Sequence, residues 1–466
     1  MLRSMTIVAT ILSTAGNASP PVRPRLGEKG PDSAQVAHFL GALASTDPTV
    51  CEMAVDNIGN GWGWHSRREP VGVLHDQSQA GRDTRNAFAN EVDDPRAVPV
   101  LVDHLADANP CVRRAAARML GAERSDLARR MLRSRLRDPI PLVREAATLG
   151  VGQREDHEAY EDLARGLRDS DIYVVRMTVW ALGELEDHRA LNPITELLNH
   201  ADAGIRAAAV WALGNIPDAR SVPGLSQRLE DASPGIRELA ARALGEIESK
   251  AATPALIGAL GDSDAGVQRA AVHALGNLQD AKAAPAVARL LQSSDEQIRA
   301  EAAHALGEMQ DRQSVGPLVR ALQDKSPKVR AETARALGEI QDPSAGAPLA
   351  QAISDPEMEV RKNALHAIGQ LDELHQAPGP VVAALSDPDP QVRAMAAETL
   401  KRIQDPSTAA ALGRALQDET PEVRRQVVAA LGRIGDASST AYLVTALKDP
   451  DGEVRRRAAE ALGRRR

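Results

Sequence analysis

Apolar residues recur along most of the chain at the spacing of an amphipathic helix. From Val267 through Ala271 and Ala274 to Leu275, the steps of four, three and one residue place all four side chains on one helical face. Alanine at such positions lets neighbouring helices approach closely. A shorter helical segment and an Asp-led turn precede each stretch of this kind. The pattern therefore predicts pairs of helices joined by a turn.

The second helix of each pair ends in an apolar residue followed by glycine, and these ends recur every 31 residues. The regular series is Leu182-Gly183, Leu213-Gly214, Leu244-Gly245, Leu275-Gly276, Leu306-Gly307, Leu337-Gly338 and Ile368-Gly369. It continues to Leu462-Gly463, with Lys401 replacing glycine at one step, and extrapolates backward to Gly59. We expect each glycine to take the left-handed conformation that commonly ends a helix.

The register predicts an all-α solenoid of about fourteen two-helix repeats with a period of 31 residues, starting near residue 33. Each repeat of such an array buries its apolar face only against its neighbours. Residues 93–466 form the regular array, and residues 33–92 form degenerate repeats that cap its first layer. The stretch 151–160 departs from the regular spacing, so we expect a kink there.

An aspartate in the turn is followed six residues later by an arginine in many repeats. An arginine fork beside a turn aspartate can tie that turn to its own or the adjacent layer through charge-assisted hydrogen bonds. Recurrence in so many repeats favours a structural role over an active site. The pairs are Asp107 and Arg113, Asp231 and Arg237, Asp324 and Arg330, Asp355 and Arg361, Asp387 and Arg393, Asp418 and Arg424, and Asp449 and Arg455.

A Pro-Leu first helix, an Asp turn, Val-Arg and an Ala-Leu-Gly helix end together resemble the HEAT-like repeats of the phycobilisome-lyase type. The resemblance covers residues 93–466 well and residues 33–92 weakly. It implies a HEAT solenoid whose second helices line a concave surface. It does not imply one function, because such repeats occur in bilin lyases, in deoxyhypusine hydroxylase and in arrays that serve only as binding surfaces.

One position of each second helix, three residues before the terminal glycine, varies from repeat to repeat and faces away from the packed side. Its occupants are Trp180, Trp211, Arg242, His273, His304, Arg335 and His366. Tryptophan and arginine are enriched at binding hot spots, so this column predicts a groove for a protein or peptide. The two tryptophan rings either form an exposed platform, or they lie over neighbouring alanines and fill the space that small residues leave.

A second candidate contact is the loop 59–65, which carries Trp62 and Trp64 between glycines. We expect a loop of this composition to expose apolar area. Contact with a partner would explain it, and so would a fold against the open edge of the first repeat.

The histidines raise the question of a metal site, because Glu301 and His304 share a helical face with His273 and Glu332 in flanking layers. Resemblance to deoxyhypusine hydroxylase would require adjacent His-Glu pairs in several repeats, and the matching positions lack them. A solvated His-Glu salt bridge also explains the spacing. We therefore predict a non-enzymatic scaffold without metal, cofactor or catalytic residues, and a hydroxylase- or lyase-type enzyme is the alternative.

Charge and the N-terminal segment bear on partners and location. The formal net charge is -8, which argues against binding to nucleic-acid phosphates. Residues 1–18 read as a signal peptide followed by a flexible linker, 19–32. We expect a monomer without transmembrane segments, exported if that peptide is cleaved and cytoplasmic otherwise.

The two cysteines, Cys51 and Cys111, fall two repeats apart in this register. Two packed helix layers would separate their Cα atoms by about 18 Å. A disulfide needs a separation below about 7 Å. We therefore predict two separate thiols.

Overall fold

The computed structural model of the chain describes residues 33–44, 95–371 and 374–463, and every regular element among them is a helix. These residues divide into two compact units between Leu185 and Glu186. The prediction of an all-α solenoid is confirmed. The signal segment, the linker and the loop with Trp62 and Trp64 lie outside the described residues, as does Gly59, the first position of the register.

The first unit contains one single helix and three helix pairs among its described residues. Its helices are α1 (Ser33–Ala44), α2 (Ala97–Asp103), α3 (Pro110–Ala122), α4 (Asp126–Arg135), α5 (Pro141–Gln153), α6 (Tyr160–Gly166) and α7 (Ile172–Glu184). The second helices α3, α5 and α7 pack one on the next, and α4 and α6 pack on the second helix that follows each of them. Short 3-10 turns cover His104–Ala106 and His157–Ala159.

Helix α1 packs directly against α2 and α3, with no helical layer between them. Cys111, at the start of α3, is disulfide-bonded. The prediction of two separate thiols is therefore wrong, because it assumed a full intervening layer between the two cysteines. Cys51, the other cysteine of the sequence, lies outside the described residues.

The stretch 151–160, predicted to be irregular, has an ordinary repeat connection. Helix α5 runs to Gln153, and Glu155 then takes a positive φ of 52°. Glu186 after α7 (Ile172–Glu184) and Glu248 in the second unit follow their helices in the same way, with φ of 50° and 53°. The departure in sequence spacing thus leaves the local geometry of this connection unchanged.

Nine helix pairs are present among the described residues of the second unit, and their second helices pack one on the next from α9 to α25. The helices are α8 (Leu191–Leu197), α9 (Ala203–Asn215), α10 (Val222–Arg228), α11 (Pro234–Glu246), α12 (Thr253–Ala259), α13 (Ala265–Leu278), α14 (Ala284–Arg289), α15 (Glu296–Met309), α16 (Val315–Ala321), α17 (Pro327–Ile340), α18 (Gly346–Ala352), α19 (Met358–Gln370), α20 (Gly379–Ala383), α21 (Pro390–Ile403), α22 (Ala409–Ala415), α23 (Pro421–Ile434), α24 (Ala437–Ala446) and α25 (Gly452–Gly463). The 3-10 turns are His188–Ala190, Ala219–Ser221, Lys250–Ala252, Ala281–Ala283, Leu290–Gln292, Arg312–Ser314, Pro343–Ala345, Ala384–Ser386 and Pro406–Thr408.

The periodic glycines have a different role from the one we predicted. A Cβ atom added to Gly307 would lie 2.9 Å from the Cα atom of Ala336, and one added to Gly338 would lie 2.8 Å from Cα of Ala367. These glycines lie inside their helices, where they allow the next second helix to approach. The left-handed residue comes three positions later, as at Gln341 with a φ of 56°. The prediction that each glycine is the left-handed helix end is therefore wrong for this stack.

The recurring arginines tie each repeat to the next one. The Arg330 guanidinium donates from Nε and Nη2 to the two carboxylate oxygens of Asp355 in the following repeat, at 2.7 and 2.8 Å. Its Nη1 donates to the main-chain oxygen of Asp324 in its own turn, at 2.9 Å. Asp355 in turn accepts the backbone N–H of Glu357 just before α19, at 2.9 Å. One arginine thus fixes two consecutive turns.

The same bidentate contact recurs through the second unit, with Arg and Asp 25 or 26 residues apart. Its members are Arg206–Asp231, Arg237–Asp262, Arg299–Asp324, Arg330–Asp355, Arg361–Asp387, Arg393–Asp418 and Arg424–Asp449, and the first unit has Arg144–Asp169. Arg113 and Arg455 bind the main-chain oxygens of Asp107 and Asp449 in their own turns. We call this series the Arg–Asp ladder.

The ladder is interrupted once inside the second unit, where Gln268 and Ser293 stand at the arginine and aspartate positions. Gln268 Nε2 still donates to the main-chain oxygen of Asp262, at 2.7 Å. Ser293 Oγ still accepts the backbone N–H of Asp295, at 3.2 Å. Each residue keeps the bond within its own turn, and the bidentate contact between repeats is missing.

We predict that Gln268→Arg combined with Ser293→Asp restores the missing contact. The side chains of the neighbouring Arg330–Asp355 pair are only 13% and 11% exposed, so solvent screening at this position should be weak. In a double-mutant cycle, the two substitutions together should be more stabilising than the sum of the single ones by about 1–2 kcal/mol. Urea unfolding of the four proteins measures this coupling. Additive effects would show that the contact does not form.

Candidate functional site

Six residues of the predicted column lie in six successive second helices of the second unit. They are Trp211 in α9, Arg242 in α11, His273 in α13, His304 in α15, Arg335 in α17 and His366 in α19. Successive second helices pack directly, so neighbouring members are about 9 Å apart. Arg242 and His273 are exposed and the other four are partly exposed. We call these six residues the second-helix column.

Trp180, the seventh predicted member, belongs to the first unit and is only 3% exposed. Its ring lies over Gly152 in the preceding second helix, where an added Cβ would come within 2.7 Å of the ring. The interpretation of Trp180 as an exposed anchor is wrong. The ring instead fills the space that the small residue leaves.

Charged side chains connect the middle of the second-helix column. Arg335 donates from Nη2 to Glu332 Oε2 at 2.8 Å and from Nε to the same oxygen at 3.0 Å. The Arg335 guanidinium also contacts Glu339 and His304 Nδ1. Burial raises the pKa of Glu339, and the Arg335 charge opposes that shift. Arg335 is therefore the charge that holds this acidic part of the surface together.

The four residues considered for a metal do not form a metal site in the structure. Across the described residues, no three His, Cys, Asp or Glu side chains converge as ligands. Glu332 is bound to Arg335, and burial raises the pKa of Glu301, with the charges of Arg269 and His273 opposing the shift. The His-Glu dipeptide at 157–158 instead places Glu158 3.1 Å from Arg129.

A cleft that we did not predict lies beside the C-terminal ends of α19, α21 and α23. Its volume is ≈ 980 Å³. Lys401, Arg402 and Arg433 line it together with His375, and the apolar side chains Leu371, Leu374, Ile403 and Pro406 complete most of the lining. Two features of the sequence mark this region, namely one extra residue before position 400 and a lysine in place of the repeat glycine at position 401. The repeat spacing alone could not show that residues of this region line a cavity.

Comparison with known proteins identifies the repeats. The HEAT repeats family model matches residues 98–179, 160–233, 222–307, 285–369 and 378–463. The chain belongs to the HEAT-repeat family. A comparison with curated proteins found no match.

Solved HEAT solenoids resemble the chain in fold. Importin beta crystallised in ammonium sulfate has a TM-score of 0.57 and 16% identity, covering 79% of this chain and 62% of that one. Yeast importin beta (Kap95p) has a TM-score of 0.54 and 15% identity, covering 80% of this chain and 63% of that one. The chain thus spans less than two thirds of these importins, and at such identity the likeness shows the fold alone.

In the part of the HEAT protein that the structure describes, no helix has both the length and the apolar character needed to cross a bilayer.

The first unit contains a buried acidic residue outside the predicted column. Glu145 in α5 is 3% exposed and lies near the Arg113 guanidinium, which is itself 8% exposed. Burial raises the pKa of Glu145 to about 7, and the Arg113 charge opposes the shift. A carboxyl that titrates near neutral pH inside a HEAT repeat makes the stability of this unit depend on pH.

We predict that Glu145→Gln reduces the pH dependence of stability between pH 4.5 and 8. A carboxyl whose pKa is higher in the folded than in the unfolded protein stabilises the fold most at pH values below its unfolded pKa, near 4.5. This stabilisation is lost as the pH rises through about 7. The shift corresponds to about 3 kcal/mol over this range. Chemical denaturation of both proteins at several pH values measures the difference. Parallel pH profiles for the wild type and the variant would contradict the assignment.

Proposed function

We propose that the chain is a non-enzymatic scaffold that binds a protein or peptide along the second-helix column. The observation that carries this proposal is the contrast between two sets of residues. Alanine, leucine, glycine and the Arg–Asp ladder are engaged in packing one repeat on the next. The second-helix column instead presents tryptophan, arginine and histidine to solvent in six successive repeats, and interface hot spots favour the first two of these.

One structural comparison supports a binding role by analogy. Kap95p is described as inducing a change in the switch loops of RanGDP on binding, so a HEAT solenoid of similar fold binds a protein. We extend this to the present chain as a proposal, because fold alone does not carry function. The same proposal includes a closer relationship to the phycobilisome-lyase type of repeat. It also includes a concave binding surface and a monomeric state.

Within the column, Trp211 and Arg242 are the residues on which we base the test. Trp211 is partly exposed in α9. Arg242, in the next second helix, is paired with Glu238, and 65% of its side chain is exposed. A ring and a guanidinium in adjacent layers offer an apolar contact and a carboxylate contact about 9 Å apart.

We predict that Trp211→Ala weakens partner binding about 30-fold, as expected for loss of a hot-spot contribution of about 2 kcal/mol. The partner is first identified by photo-crosslinking from position 242 of the full chain, with position 220 as the matched control. Arg220 is 63% exposed and also pairs with an aspartate, Asp218, but lies outside the column. Titration of the wild type and of the Trp211→Ala variant with the partner identified in this way then measures the two affinities.

Two results would reject the column as the binding surface. One is equal crosslinking to the same proteins from positions 242 and 220. The other is unchanged affinity of the Trp211→Ala variant, with its thermal unfolding also unchanged. The effect of Arg242→Ala compared with that of Arg220→Ala separates a local contact from a general effect of charge.

We also propose that the protein is exported. The disulfide of Cys111 supports this, because disulfides persist mainly in oxidising compartments. In this proposal, residues 1–18 act as the signal peptide.

We predict that maleimide labelling of intact cells and extracts modifies neither Cys51 nor Cys111 before reduction, and both after it. N-terminal sequencing of the purified protein should show that residues 1–18 are absent. Labelling of both thiols without reductant, in protein that retains its first residues, would place the chain in a reducing compartment.

A further inference from the structure

The cleft beside α19, α21 and α23 concentrates positive charge in a place where the fold does not require it. Lys401 and Arg402 lie in the last turn of α21, and Arg433 lies in the last turn of α23. A cation there does interact favourably with the helix dipole. However, the last turns of α9, α11, α13, α15, α17 and α19 contain no basic residue, and these helices pack in the same way.

These cations are poorly neutralised by the described residues around them. Glu398 is the one carboxylate paired with Lys401 and Arg402, at 3.8 and 3.7 Å. Both distances exceed the hydrogen-bonding range. Arg433 is exposed and forms no ion pair with a described residue. The acidic positions 372 and 373 lie outside the described residues.

The cleft has the dimensions and the lining for a short peptide. Arg402 and Arg433 occupy equivalent positions in successive repeats, so their helices are about 9 Å apart. An extended peptide advances about 3.3 Å per residue and alternate side chains share a face, so two carboxylates two residues apart lie about 7 Å apart on one face, within reach of both long arginine side chains. Leu371, Leu374 and Ile403 supply apolar lining beside the charged groups, and Leu374 is the most exposed of the three.

We propose that this cleft binds an extended acidic segment of a protein partner, with carboxylates on Arg402 and Arg433 and an apolar side chain against Leu374. The inference rests on the proposed function in taking a protein segment as the ligand. It adds the chemistry of that segment and a location outside the second-helix column. Lys401 contributes because it replaces the glycine that elsewhere packs against the next helix.

The test uses the full chain and a short fluorescein-labelled peptide of repeating Asp-Leu-Glu, with an Asn-Leu-Gln peptide as the matched control. Fluorescence anisotropy measures binding at low salt. The Arg402→Gln, Arg433→Gln double variant should bind the acidic peptide about fivefold to tenfold more weakly, since each exposed charge pair contributes up to about 1 kcal/mol. Arg220→Gln, an exposed arginine outside both the column and the cleft, should leave the affinity unchanged. Added chloride should weaken binding by screening.

Each remaining outcome contradicts the proposal. Equal binding of the two peptides would exclude recognition of carboxylates, and equal binding by the double variant would exclude this cleft. If inorganic phosphate displaced the acidic peptide more strongly than chloride does at the same ionic strength, the cleft would be a site for small anions instead. Because the assay needs no natural partner, its outcome is independent of the Trp211→Ala experiment, and either proposal can fail while the other stands. Circular dichroism of the double variant checks that it remains folded.

Discussion

The close approach of successive second helices is the constraint on which each unit depends. At Gly307 and Gly338 the next helix comes so near that an added Cβ would lie within 3 Å of a backbone atom. This distance requires small residues on the facing surfaces, and alanine and glycine supply them. A single repeat has little apolar surface of its own to bury, so its stability comes from its neighbours.

The Arg–Asp ladder solves a second problem, which is the orientation of the turns. Packing of small residues fixes the distance between helices but allows them to slide and rotate. A bidentate guanidinium limits both the sliding and the rotation, because its planar fork requires one orientation of the carboxylate. The hydrogen bonds from Arg237 lower the pKa of Asp262, as expected for a carboxylate held in its charged form. Each aspartate also accepts a backbone N–H at the start of the next second helix, so helix initiation and contact between repeats share one side chain.

The periodic sequence pattern was sufficient to predict the helix pairs, their order and the solenoid class. It was not sufficient to predict what each repeated position does. The glycines looked like helix ends because they follow a conspicuous apolar residue, yet the helices continue to Leu278 or Ile340, and the glycines provide close packing. Trp180 and Trp211 occupy the same register position, but Trp180 lies over Gly152 and is buried. Which residue a ring covers depends on the neighbouring layer, and a one-dimensional register does not contain that information. For the same reason, the cysteine separation and the basic cleft were missed.

The spacing of the ladder has a consequence for how such a chain can change its length. Every bidentate contact joins an arginine of one repeat to an aspartate of the next, 25 or 26 residues further on. Recombination that removes or duplicates one complete repeat leaves each remaining ladder arginine opposite an aspartate, and glycines such as Gly307 and Gly338 opposite an alanine. A small insertion is tolerated only in a connection, as between Arg361 and Asp387, where the spacing is 26 residues and the contact survives. The gene can therefore grow or shrink in whole-repeat steps, while the surface residues that select a partner diverge independently.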